Sequence, residues 1–151
     1  MSQTTGIING SDLKIMMVAD GGTLLVIDNV TDCSISVQNE FRDTTVKANA
    51  GYKALLPGMT SATMSFTALY QSDAGAGKGF NDISTFQLNK TKLDITFTHV
   101  IGSAAAANAG DYQYVVSGYI ESLDLSGGTE DNASFTASVQ IVESIVRSVI
   151  A

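Results

Sequence analysis

The chain has 151 residues with no tryptophan, one proline, one cysteine and one histidine. A lone Cys33 excludes an internal disulfide. One His and one Cys cannot build a transition-metal site, which draws on several such ligands. A single Pro against 14 Gly excludes collagen-like and proline-rich classes. Charge is also scarce: 15% of residues are charged, against roughly 25% in ordinary soluble domains. Ser, Thr and Gly fill the gap, which suits strands whose outer faces are covered by neighbours instead of water. No apolar run approaches the ~18 residues of a membrane span, so no membrane anchor is expected. The opening MSQTTGIING lacks the basic start and apolar centre of a secretory signal. Without such a signal, the three Asn-x-Ser/Thr patterns at Asn29, Asn89 and Asn132 are read as chance.

Basic residues are missing from one long span. Leu93 to Val146 contains Asp94, Asp111, Glu121, Asp124, Glu130, Asp131 and Glu143 and no Lys or Arg. These acids account for the whole formal charge of -7, since the remaining acids and bases cancel. Such a surface repels nucleic acid at contact distance. Its ordinary reading is solubility. A sharper one is a surface or channel that meets a polyanion without holding it.

What is present is alternation. TSATMSFTALY puts Ala62, Met64, Phe66, Ala68 and Tyr70 on one face and Ser61, Thr63, Ser65, Thr67 and Leu69 on the other, because strand side chains alternate. Leu13–Ala19 and Thr23–Val30 flank Asp20-Gly21-Gly22, a hairpin signal. Thr31–Gln38 is a third strand, with Cys33 in phase with Ile35 and Val37 and read as a buried apolar thiol. Phe80, Ile83 and Phe86 recur at helical spacing, predicting one short helix over 80–89, with Asn81 as a candidate cap. Lys92–Val100 and Tyr112–Leu125 predict a hairpin with GSAAAANAG at its tip. In the second of these strands the apolar phase slips near Glu121–Ser122, predicting a β-bulge or a crossing between sheets. Asn132 to about Val146 is the last long strand, and the tail SIVRSVIA stays apolar. An exposed apolar tail suits an assembled subunit better than a monomer.

Between the third and fourth strands lies NEFRDTTVKANAGYKALLPGM, residues 39–59. A structureless connection of about 20 residues is unusual in a compact domain. This one carries Phe41, Val46, Tyr52, Leu55, Leu56 and Pro57. Disordered segments lack such groups, so an assembly interface is expected here. The whole reads as a single domain over 1–151, mainly β, an antiparallel sandwich or barrel with one short α-helix and a long assembly loop.

Chemistry finds little support. His99 ends a strand and no Gly-x-Ser-x-Gly elbow accompanies it. Gly75-Ala76-Gly77-Lys78-Gly79 fails as a phosphate loop, with Ser72 where Gly is required and Phe80 where a magnesium hydroxyl is required. Asp28, Asn29 and Asp32 lack the glycine and terminal Glu of a calcium loop. No basic stripe supports nucleic-acid recognition. The sequence thus predicts no enzyme and no cofactor. A carbohydrate-binding sandwich would ask for exposed aromatics and calcium ligands.

Residues 31–70 resemble the major tail tube protein family of long-tailed bacteriophages and gene-transfer-agent particles. The resemblance runs through the Ser-alternating CSISVQ, the stretch Asp43 to Lys47, Gly51-Tyr52, Leu55-Leu56-Pro57-Gly58, and the Ser/Thr-alternating strand that ends in an aromatic. The opening hairpin, mid-chain helix and final long strands keep the family's order. The pattern also resembles the ring protein of type VI secretion, and a capsid decoration protein is a further alternative. Two departures are the GSAAAANAG tip and the lack of an appended immunoglobulin-like domain. The resemblance implies a virion subunit that forms stacked hexameric rings and a hollow tail tube. It implies contacts with the tape-measure, baseplate or distal-tail and terminator proteins, and synthesis in the bacterial cytoplasm. DNA would pass through the lumen without specific binding, past lumen-facing acids such as Glu121, Asp124 and Asp131.

Overall fold

The computed structural model describes residues 6–7, 10, 13–19, 25–27, 29–46, 51–71, 79–99 and 110–150. Its strands are β1 (Leu13–Ala19), β2 (Leu25–Val26), β3 (Val30–Asp43), β4 (Leu55–Leu69), β5 (Leu93–His99), β6 (Tyr112–Ser126), β7 (Ser134–Ile141) and β8 (Val146–Val149). One helix, α1, spans Phe80–Leu88. All eight strands belong to one sheet of order β2-β1-β5-β6-β7-β4-β3, with β8 also beside β6. Every pairing is antiparallel. The sheet curls so that Gly10 and Leu13, near one end, share a cavity of about 370 Å³ with Val30 to Cys33 of β3 at the other end.

Alternation places the core as the sequence leads one to expect. Met64, Phe66 and Ala68 of β4 are fully buried beside Phe135, Ala137 and Val139 of β7. Ile15, Leu93, Ile95 and Val116 complete the buried layer from β1, β5 and β6. α1 closes this face with Ile83. Phe80 stacks edge-on against Phe135 at 5.6 Å and Tyr70 at 5.7 Å, contacts worth ~0.5–1.5 kcal/mol each beyond area burial.

The helix cap differs from the expectation. Gly79, not Asn81, is the N-cap, and its N–H donates to Asp82 Oδ2 at 3.4 Å. At the other end Thr91 N–H bonds Phe86 C=O and Lys90 N–H bonds Gln87 C=O, the Schellman pair. Lys90 therefore adopts φ 52°, where glycine is the unstrained choice. Lys90→Gly is expected to raise stability by ~0.5–1 kcal/mol, checked as an increased urea midpoint at constant slope.

Three strand boundaries also move. The segment 39–59 is not a structureless loop: Asn39 pairs with Thr60, Phe41 with Pro57 and Asp43 with Leu55. The last strand does not run unbroken to Val146. It stops at Ile141, and β8 resumes along the same edge of β6 at Tyr112–Val115. Val142 N–H still reaches Ser117 C=O at 2.9 Å, and Glu143 pairs with Lys92 of the segment entering β5. Cys33 is half-buried rather than buried, and burial, then Asp32, raises its thiol pKa. The slip expected near Glu121–Ser122 is present as a register shift between Ile120 and Ser122. The Asp20–Gly22 turn and most of the 102–110 tip lie outside the described residues.

The pairings make the sheet fork. Above the level of Gly118, Ile141 and Ala62, β4 keeps only β3 as a partner. β6 there keeps β5 and β8. The notch between the branches is a cavity of about 310 Å³ lined by Thr60, Ala62 and Ile141 to Ile145. Below the fork, β6, β7, β4 and β3 form a four-stranded sheet.

One buried polar atom stands out among the described residues. Thr98 on β5 is buried and its Oγ1 has no hydrogen-bond partner. Desolvating a hydroxyl without a partner costs ~1–3 kcal/mol. Thr98→Val keeps the shape and is expected to raise the thermal midpoint. A lowered midpoint would show that the hydroxyl is satisfied in solution.

Candidate functional site: a projecting hairpin and a hydroxyl face

The β3–β4 hairpin leaves the fork with only itself for a partner. Paired residues share a face, so Val37, opposite buried Ala62, continues the core face outward. Between Asn39 and Phe41 the register shifts, because β4 spends one residue more, around Gly58 and Met59, than β3. Gly58 suits this bulge, since a Cβ there would lie 3.0 Å from the Glu40 carbonyl oxygen. The extra residue moves odd-numbered Leu55 and Pro57 onto the face of Phe41 and Val37. That strip has no cover: Val37, Phe41 and Leu55 are 50%, 54% and 49% exposed.

The expected interface residues therefore separate. Phe41, Leu55 and Pro57 share the continued core face, and Leu56 pairs with Arg42 on the opposite one. Tyr52 and Val46 are exposed near the tip. There Thr44 N–H bonds Ala54 C=O at 2.9 Å, Ala54 N–H bonds Thr45 Oγ1 at 3.0 Å, and Thr45 N–H bonds Asp43 Oδ1 at 2.8 Å. Hydrogen bonding from Thr45 holds the Asp43 carboxyl below its ordinary range, while Lys53 stands 3.8 Å away. The described residues leading to the tip are thus held by their own polar groups, and Val46 and Tyr52 remain outside.

Opposite the core, the four-stranded sheet presents hydroxyls in rows. Ser34, Ser65, Ser138 and Ser122 stand side by side across β3, β4, β7 and β6. The next row is Asp32, Thr67, Thr136 and Asp124. Ser34 and Ser65 hydroxyls bond each other at 2.9 Å, and Thr67 and Thr136 at 3.1 Å. The expected acids do not form one cluster. Asp124 belongs to this face, Glu121 is the bulge residue on β6, and Asp131 lies in the β6–β7 turn. All three are exposed.

Both margins of that sheet are open among the described residues. No strand pairs with the far side of β3, and β6 from Tyr119 to Ser126 has no strand opposite β7. The open margin of β6 adjoins a cleft of about 430 Å³ lined by Phe86, Gln87, Lys90, Tyr119 and Ile120. These margins carry no signal in the sequence, because an edge is a property of pairing and not of pattern. The hydroxyl face had a signal: Ser or Thr at alternate positions in CSISVQ, TSATMSFT and SFTASV. Among the described residues no group of three or more His, Cys, Asp or Glu could hold a metal. His99 ends β5, and its side chain lies outside the described residues.

Open edges, an uncovered apolar hairpin and a self-satisfied hydroxyl face define a subunit built to be completed by copies of itself. The sequence profile of the phage tail tube proteins matches residues 7–146. The chain therefore belongs to the phage tail tube protein family and is a structural subunit of the virion tail, self-assembling into a tube. Its fold matches the tail of an empty gene-transfer-agent particle with C6 symmetry (TM-score 0.73, 19% identity, 94% of this chain and 99% of that one). It matches the SPP1 tail tube equally well (TM-score 0.73, 17% identity, 96% and 81%). The sheath–tube complex of an extracellular contractile injection system is also similar (TM-score 0.67, 16% identity, 95% and 93%). No curated protein matches by sequence.

Proposed function

We propose that this chain acts as one domain over 1–151 and closes into a hexameric ring, the rings stacking into the conduit for DNA during genome ejection. The carrying observation is the four-stranded sheet with two open margins. β6, β7, β4 and β3 alternate in direction, so β6 and β3 run oppositely. Under rotation about an axis along the strands, β6 of one copy meets β3 of the next antiparallel. Closure then pairs both margins and leaves no edge.

The hydroxyl face lines the lumen in this arrangement, with the apolar layer and α1 outside it. Ser and Thr oxygens that bond one another offer fewer donors to phosphate. Asp124 adds repulsion, so DNA slides instead of sticking. Glu121, at the open margin of β6, and Asp131, in the β6–β7 turn, lie beside that lining and not within it. The role is structural and needs no cofactor. Tape-measure, baseplate and terminator proteins are its other partners, and it is made in the host cytoplasm. Negative-stain electron microscopy of concentrated protein, with a sizing column alongside, tests the reading. Hollow tubes of uniform width support it. Discrete oligomers that never elongate would favour a decoration protein.

A further inference from the structure

When copies close into a ring, the open margin of β6 meets that of β3, and barrel geometry fixes how they meet. Barrel strands tilt by ~35–45° to the axis and lie ~4.8 Å apart. Crossing the four strands of one copy therefore displaces a paired row by roughly 13–19 Å along the strands, about four to six residues. Backbone pairing gives the direction. β4 descends from the hairpin, and Tyr70, which continues its core face, donates its N–H to Ala133 C=O beside β7. Viewed from the core face with the hairpin up, L-chirality then puts β7 and β6 to the left of β4 and β3 to the right. Right-handed twist makes barrel strands climb to the right, so a row descends from β6 to β3. Each β6 residue thus meets a β3 residue about four to six positions nearer the hairpin than its own row partner. Ile120 shares its row with Ile35, so across the seam it meets Asn39 to Phe41 of the neighbouring copy.

The margins themselves are acidic. β6 from Tyr119 to Ser126 carries Glu121 and Asp124 and no base, and β3 from Val30 to Phe41 carries Asp32 and Glu40 and no base. Lys90 brings a cation to this seam, from the cleft beside the open margin of β6. The cleft reaches round that margin, since Ile120 faces the core and Tyr119 the opposite side. Lys90 is exposed and makes no ion pair among the described residues, and the same holds for Glu40. Lys90 also keeps a φ of 52° where glycine would be unstrained, and such outliers mark places where a backbone is held for use. We infer that Lys90 pairs with Glu40 of the neighbouring copy within one ring, while Phe41 of that copy enters the cleft against Phe86 and Ile120. The pairing rests on the tail-tube reading and adds what sets the register between copies. Closure without stagger would bring Asp32 against Asp124, which share a row. The staggered seam parts these like charges and gives Glu40 its counter-ion.

A surface pair is weak alone, but this one recurs at every seam of a ring. The test is charge exchange in the full chain, read as the critical concentration for tube growth, with circular dichroism of each monomer. Lys90→Glu, or Glu40→Lys, is expected to raise that concentration about fivefold or more. Combining the two should return it to within about twofold of wild type, since the pair is regenerated. Lys90→Gly separates the seam from folding: its urea midpoint should rise, yet growth should need about twofold more protein or beyond. If Lys90→Glu or Lys90→Gly grows tubes like wild type, the pair does not exist. If Asp32→Lys and not Glu40→Lys restores Lys90→Glu, the seam is unstaggered. Either result overturns the inference while the tail-tube reading stands. If the wild type itself forms neither rings nor tubes, that reading falls and the pairing with it.

Discussion

Gly118→Ala is expected to lower the unfolding free energy by ~1–3 kcal/mol, and by more if the strands cannot part. Gly118 sits where β6 passes from β5 to β7, paired with buried Leu93 on one side and Ile141 on the other. A Cβ placed there would stand 2.3 Å from the Gln140 carbonyl oxygen and 3.1 Å from Val139 Cγ1. The first contact is with backbone, so no rotamer change relieves it; β6 and β7 must separate at the base of the fork. Gly127→Ala is the control. Its Cβ would meet nothing closer than 3.4 Å, and a shift within about 0.5 kcal/mol is expected. Urea titration of both variants decides the matter. An unchanged midpoint for Gly118→Ala would show that β6 and β7 part here without cost.

Phe41→Ser with Leu55→Ser should raise the concentration needed for tube assembly about tenfold or more while leaving the subunit folded. Each side chain is about half exposed, so burying the remainder on docking contributes on the order of 1 kcal/mol apiece. Together they are worth roughly tenfold or more in the critical concentration for growth. Folding should barely change, because the hairpin end is held by its ladder and the polar tip contacts. Leu56→Ser supplies the contrast. It lies on the opposite face with Arg42 and is expected to weaken assembly less. Sedimentation of assembled material, with circular dichroism of the monomer, separates the outcomes. Equal loss from Leu56→Ser would mean that both faces of the hairpin are covered.

Much of this was legible because strand alternation writes burial directly into sequence. Ala62, Met64, Phe66 and Ala68 alternate without interruption, and each is buried. The slip at Glu121 announced its bulge because Leu123 changed parity relative to Ile120. The hairpin's extent was hidden by local chemistry that favours loops. Asn39, Glu40, Arg42 and Asp43 are poor strand formers, and Pro57-Gly58 reads as a turn. Proline is tolerated there because β4 has a strand on only one side at that level. Likewise the interruption after Ile141 had no signal, since Val142 and Ile145 keep an apolar rhythm across it. The apolar residues of the assembly strip could be named from sequence. Their division between two faces could not, because one extra residue at Gly58–Met59 inverts the parity by which faces are counted.

The fork has a mechanical consequence. Around a closed ring, deformation would have to stretch continuous ladders of backbone hydrogen bonds, which makes the circumference stiff. Along the strands, the projecting part of each subunit is the two-stranded hairpin alone, and it carries a bulge opposite Glu40 where its ladder is interrupted. If the hairpin bridges neighbouring rings of the proposed tube, bending strain concentrates at that weak point, and the filament flexes between rings while its bore keeps its diameter.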